Sequence, residues 1–183
     1  MILTEQLIKS KSLTANLTIA FSGSILLALL ARLSIPVPFS PVPITGQTFG
    51  ILFIGATLGS RLGALSVIMY IIEGIIGLPV FAGGIGGFLY LLGPTGGYLI
   101  GFVPAAYLVG YLAEKGFVDK ITPTFIALTL GTIVIFIFGI SWLAVTAGIE
   151  TALKIGLYPY LFGAMVKIIL ATIIVNSIYR FNK

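Results

Sequence analysis

The chain has 183 residues, of which 58% are hydrophobic and 8% charged, with ten Lys and Arg against five Asp and Glu for a net charge of +5; its mean hydropathy is +1.19. A water-soluble domain carries about 25% charged residues, so the composition is that of a single integral-membrane domain, and the positive charge reports membrane topology rather than nucleic-acid binding. With no Cys and no His, disulfides, thiolate nucleophiles and the usual zinc, haem and imidazole-base chemistries are excluded.

Residues 13–33 form a 21-residue run in which Arg32 is the sole charge, enough at about 1.5 Å per residue to cross a hydrocarbon core of roughly 30 Å. A signal peptide would have a shorter apolar part and a small-x-small cleavage site, so the run predicts a retained transmembrane helix. Its Ala20, Ser24 and Ala28, with Gly23 alongside, make a stripe of small residues. Such a stripe either receives a partner's helix or packs against the chain's own helices.

Residues 34–46, SIPVPFSPVPITG, hold four prolines and predict a semi-rigid, apolar, non-helical loop. Residues 47–60 and 62–76 flank Gly59-Ser60-Arg61, a tight-turn signal, and predict two short helices; a re-entrant pair buried in protein is the alternative. The next loop, 78–94, is rich in glycine but also contains Phe81, Phe88 and Tyr90, unusual for a segment bathed in water. The first and third loops are expected to pack down as a lid over a cavity; two ordinary connections at headgroup level fit the composition equally well. Residues 95–113, 123–147 and 158–179 complete six spans.

Lys9, Lys11, Arg61, Lys115, Lys120, Arg180 and Lys183 fall on one side of this arrangement, while the loops 34–46 and 77–94 have no Lys or Arg and the third opposite loop has Lys154. Cytoplasmic flanks carry the excess of Lys and Arg. The expected fold is an all-α membrane protein, six transmembrane helices in one bundle with both termini cytoplasmic and with ordered outer loops.

No G-x-x-x-x-G-K-[ST] occurs, and the cluster Gly83-Gly84-Ile85-Gly86-Gly87 does not complete G-x-G-x-x-G because Leu89 holds the last place. Glu5, Glu73, Glu114, Asp119 and Glu150 are scattered, without an acid–base pair or metal cluster, which argues against an enzyme and against a bound cofactor. Lys167 lies about ten residues into the last span, where a charge is costly without a partner. An anionic ligand would satisfy it; snorkelling or a backbone carbonyl is the competing account. Arg32, one turn from the outer end of its helix, is expected to reach the headgroups. Thr45, Gln47, Tyr98 and Trp142 fall at a similar outer level and could line one pocket with Lys167, although an interfacial belt would also explain Tyr98 and Trp142.

The runs Pro41-Val42-Pro43-Ile44-Thr45-Gly46-Gln47-Thr48, Gly83-Gly84-Ile85-Gly86-Gly87 and Gly93-Pro94-Thr95-Gly96-Gly97-Tyr98-Leu99-Ile100-Gly101-Phe102 resemble the BioY family, the biotin-specific substrate-binding (S) components of energy-coupling-factor vitamin transporters. The likeness spans nearly the whole chain. It implies a high-affinity subunit that captures biotin from outside under the first and third loops, which adds Phe81, Gly83 and Gly84 to the ligand-binding candidates. It also implies assembly with a transmembrane coupling protein and two ATPases, the coupling protein meeting Ala20, Ser24 and Ala28. The family's last helix commonly reads Gly-Asp-x-x-Lys; here Gly163-Ala164-Met165-Val166-Lys167 keeps the lysine and loses the acid, which implies a lysine more available to the biotin carboxylate. The residues alone support only a small, partly apolar, anionic ligand. An autonomous facilitator or channel for a small anionic solute, and a structural protein without ligand, are the alternatives.

Overall fold

The computed structural model describes residues 12–181, so the charges expected on the cytoplasmic side at Lys9, Lys11 and Lys183 lie outside the described residues. Helix α1 (Leu13–Arg32) leads into a two-stranded ribbon, β1 (Ser34–Val37) and β2 (Ser40–Thr45), and then into α2 (Gln47–Ile75), α3 (Phe88–Leu92), α4 (Gly96–Glu114), α5 (Ile121–Ala147), α6 (Ile149–Gly156) and α7 (Leu161–Phe181). Five of these helical segments are long and apolar enough to cross a membrane among the described residues. Because α2 doubles back, six helical limbs make up the bundle.

The reversal in α2 sits at Gly59, whose φ of 85° and ψ of 179° no helix contains. Gln47 and Tyr70 make a side-chain contact of 2.6 Å, whereas a straight helix would hold positions 23 apart about 35 Å from each other. The two short helices expected from the Gly59-Ser60-Arg61 signal are these antiparallel limbs. Their shortness is tolerated because α2 is the most buried of the spans, packed mainly on α4 and α1.

Glu114, at the last residue of α4, closes the turn: its Oε1 accepts from the Ser60 backbone N–H at 2.7 Å and from the Ser60 hydroxyl at 2.8 Å. A carboxylate at the start of a helical limb satisfies an orphan donor and faces the positive end of the dipole. Glu114→Ala is expected to cost about 2 kcal/mol, since hydrogen bonds to charged groups contribute about 1.5–3 kcal/mol, and Ser60→Ala about half of that. Thermal unfolding of the purified protein reads both, and equal midpoints for wild type and Glu114→Ala would remove this role.

The proline-rich loop forms an antiparallel ribbon, with Ser34 opposite Thr45, Ile35 opposite Ile44 and Val37 opposite Ser40. In a two-stranded ribbon both strands are edges, so Pro36, Pro41 and Pro43 can sit where no ladder donor is required. Packing of the next loop is uneven. Phe81 is fully buried, its ring 5.6 Å from Tyr70 edge-on and 5.0 Å from Tyr90 in a stack, whereas Phe88 and Leu89 face outward. The ring occupies the space a side chain at Gly74 would need.

Two features depart from expectation. Residues 148–157, read only as a connection, contain α6, which exposes Glu150 and Lys154 as an ion pair at 2.7 Å and buries Ala152 and Gly156. The last transmembrane helix begins at Leu161 after a 3-10 turn at Tyr158–Tyr160, which brings Lys167 six residues, about 9 Å, from the start of the helix.

Candidate ligand-binding site

Between the ribbon, the start of α2 and the facing walls of α4, α5 and α7 lies a cavity of about 780 Å³, its open mouth included. Val42, Pro43, Ile44 and Thr45 form its roof; Gln47, Thr48 and Leu52 come from α2, Tyr98, Leu99 and Phe102 from α4, and Thr132, Ile135 and Phe136 from α5. Tyr160, Gly163, Ala164 and Lys167 close the last side, and Ala82, Tyr90 and Thr95 reach in from the glycine-rich loop. Lys167 is the one charged side chain in this lining.

Lys167 Nζ donates to the Thr45 carbonyl at 2.5 Å and to Thr48 Oγ1 at 3.0 Å. The backbone-carbonyl partner considered for it is therefore present, but both acceptors are neutral. No carboxylate in the lining balances the ammonium. Ala164 stands one helical turn away on the same cavity wall, and the missing acid therefore falls inside the site. An ammonium with three donors and two neutral acceptors, set in an apolar wall, is suited to an anionic group.

Local structure explains how the polar groups are placed. Gly46 lies so close to the Leu30 carbonyl that a Cβ would come within 2.7 Å of it, and its N–H bonds the Leu33 carbonyl at 2.9 Å; this closes the ribbon and starts α2 with Gln47 buried. Tyr98 donates to the Gly156 carbonyl at 2.7 Å, so its ring faces the cavity while its proton is committed to α6. Tyr160 donates to Val42 O and lies 2.7 Å from Ser40 Oγ, and Ser40 donates to Ile155 O at 2.7 Å. The ribbon is thereby tied across the mouth to the segment that precedes α7. At Tyr90, burial pushes the phenol above its ordinary value while a hydrogen bond with the Thr95 side chain pulls the other way, so it stays a neutral group near neutral pH.

Thr45, Gln47, Tyr98 and Lys167 are thus brought together as expected. Trp142, Phe81, Gly83 and Gly84 are not in the lining. Trp142 is turned away from the cavity: its indole N–H donates to Gly93 O at 3.0 Å, and its Cβ takes the room a side chain at Gly97 would fill. Phe81 is a core residue, and Gly84 is flanked by Arg32, whose guanidinium donates to Pro79 O at 2.9 Å, so Arg32 braces the loop. The small-residue stripe is turned inward, with Ala20 and Ser24 fully buried. Ser24 donates to Glu73 Oε1 at 2.7 Å, Gly23 packs on Ser66, and Ala28 is partly buried. A partner helix could not touch Ala20 or Ser24 without displacing α2. Tyr90, Thr132 and Tyr160 were not expected in the lining; only the aromatic content of 78–94 pointed toward one of them.

The chain matches the family model described as BioY family over residues 4–183. It is 34% identical over 167 residues to the biotin transporter BioY of Rhizobium etli, covering 87% of this chain and 89% of that protein, and 39% identical over 144 residues to the probable biotin transporter BioY of Pyrococcus horikoshii, covering 79% and 85%. A 2.1 Å crystal structure of the S-component for biotin from an ECF-type ABC transporter superposes with a TM-score of 0.82 at 31% identity, over 94% of this chain and 95% of the other.

Proposed function

The chain belongs to the BioY family, a multi-pass protein of the cell membrane, and from that premise we propose that it is the biotin-binding S component of an energy-coupling-factor uptake transporter, taking the vitamin from the outer side. The observation that carries the reading is Lys167, a lone cation in an apolar, hydroxyl-bearing cavity. Biotin complements that wall, with a carboxylate for the ammonium, an apolar chain for Leu52, Phe102 and Ile135, and a neutral ureido head for the remaining polar groups. Delivery to the cytoplasm falls to a coupling protein and two ATPases, because this chain has no nucleotide-binding motif. It is a binding subunit rather than an enzyme. A facilitator would need a polar path through the bundle, whereas the cluster of Leu52, Val109, Leu128 and Val175 includes the cavity's own Leu52 and offers no such path.

The test is calorimetric titration of the detergent-purified chain with biotin and with its methyl ester. Tight binding of the acid and about 100-fold weaker binding of the ester is expected, since an unpaired buried charge costs about 3 kcal/mol. No binding of the acid would refute the biotin reading, and equal binding of both would remove the role given to Lys167.

A further inference from the structure

Tyr70 lies outside the cavity lining and is fully buried. Its hydroxyl has one proton, donated to the Val80 carbonyl at 3.0 Å, and that carbonyl can only accept. The Gln47 amide stands 2.6 Å from the same phenolic oxygen, so what it presents there must be a donor, its NH2. The two ends of a side-chain amide are nearly equal in shape, and a hydrogen-bond chain of fixed polarity chooses between them. Here the chain runs from Gln47 through Tyr70 to Val80. With Nε2 held toward Tyr70, Oε1 is the end left for the cavity that Gln47 lines.

The remaining polar groups make that carbonyl matter. Tyr98 and Thr132 give their protons to the Gly156 and Leu128 carbonyls and are left with hydroxyl lone pairs. Lys167 is a pure donor, and no carboxylate lines the cavity, so the Gln47 carbonyl adds a stronger acceptor than these hydroxyls. The ureido head of biotin brings two N–H donors, which need acceptors once buried. We propose that Tyr70 is a positioning residue for ligand recognition: by locking the Gln47 amide it presents Oε1 as an acceptor for a ligand N–H, a neutral counterpart of the acid absent at Ala164. This inference rests on the biotin reading of the cavity.

The test is a double-mutant cycle on the purified full chain, with biotin affinity measured for wild type, Tyr70→Phe, Gln47→Ala and the double variant, and the thermal midpoint recorded for each. Tyr70→Phe is expected to weaken biotin about tenfold in the wild-type background and to change nothing in the Gln47→Ala background. Biotin methylated on a ureido nitrogen should bind wild type more weakly than biotin, and Tyr70→Phe should narrow that gap. An equal loss in both backgrounds, or none in either, overturns the positioning role. Wild type failing to bind biotin would instead bring down the reading of the cavity on which the proposal stands. Should Tyr70→Phe not fold, Gln47→Met, which keeps the length of the side chain and has no carbonyl to offer the cavity, should lose affinity as far as Gln47→Ala; retained wild-type affinity in Gln47→Met overturns the proposal.

Discussion

Lys167→Met is expected to weaken biotin binding by about 100-fold and to abolish the preference for the free acid over its methyl ester. Methionine keeps an unbranched side chain of similar length, so the wall of the cavity is preserved while the charge and its donors are lost. Removing one member of a desolvated charge pair costs about 2–5 kcal/mol, much of it from stranding the partner, and 1.4 kcal/mol is a factor of ten. Stability should change little: the variant gives up bonds to Thr45 O and Thr48 Oγ1 but no longer has to bury an ammonium. The combination of weak binding, an unchanged thermal midpoint and equal affinities for acid and ester is specific to loss of a carboxylate contact. A variant that binds the acid as tightly as wild type does would show that Lys167 serves the ribbon through Thr45 and not the ligand.

Gly110→Ala is expected to lower the thermal midpoint by about 10 °C. A Cβ at Gly110 would overlap the backbone of the α2 reversal at Gly59 and Ser60 and come within 2.6 Å of Gly59 O. These are backbone atoms, and the turn has little freedom to yield, because Gly59 holds an unusual conformation and Glu114 grips Ser60 from both its N–H and its hydroxyl. Overpacking costs roughly 1–3 kcal/mol where side chains can adjust; with none to adjust, about 3 kcal/mol is expected, and for a chain of this length each kcal/mol moves the midpoint about 2–4 °C. Gly163→Ala is the control, since nothing lies within 4 Å of its Cβ position and alanine is the better helix former; its midpoint should be unchanged or slightly higher. Equal midpoints for the two variants would mean that α4 and the α2 turn are free to separate.

The sites that the two variants probe differ in how visible they are along the chain. Lys167 stands out because it interrupts an apolar run, and the Gly59-Ser60-Arg61 turn because glycine and a charge break two others. Gly110 carries no such mark: it sits among other small residues in α4, and its importance comes from a segment some fifty positions earlier. Trp142 misled for a related reason. An indole near the outer end of a span fits a pocket, an interfacial belt or an interhelical brace equally well, and the bond to Gly93 O selects the brace. Tyr160, by contrast, reads along the chain as part of the last span, yet it stands in the turn before α7 and ties the ribbon to it.

By itself the sequence determined that this is a membrane protein of six short or full spans, which end of the bundle carries the positive charges, and that one cation lies within the last span. Hydropathy, charge and turn chemistry are local, summed over neighbours in the chain, so they survive without knowledge of contacts. The resemblance in its proline and glycine runs added the family. The tertiary structure alone decided which polar groups share the cavity, that Ala20 and Ser24 face inward, that Tyr90, Thr132 and Tyr160 belong to the wall and that Tyr70 stands behind Gln47. Each of those facts depends on which residues from distant segments meet, and on where a single hydroxyl proton can go once they have met.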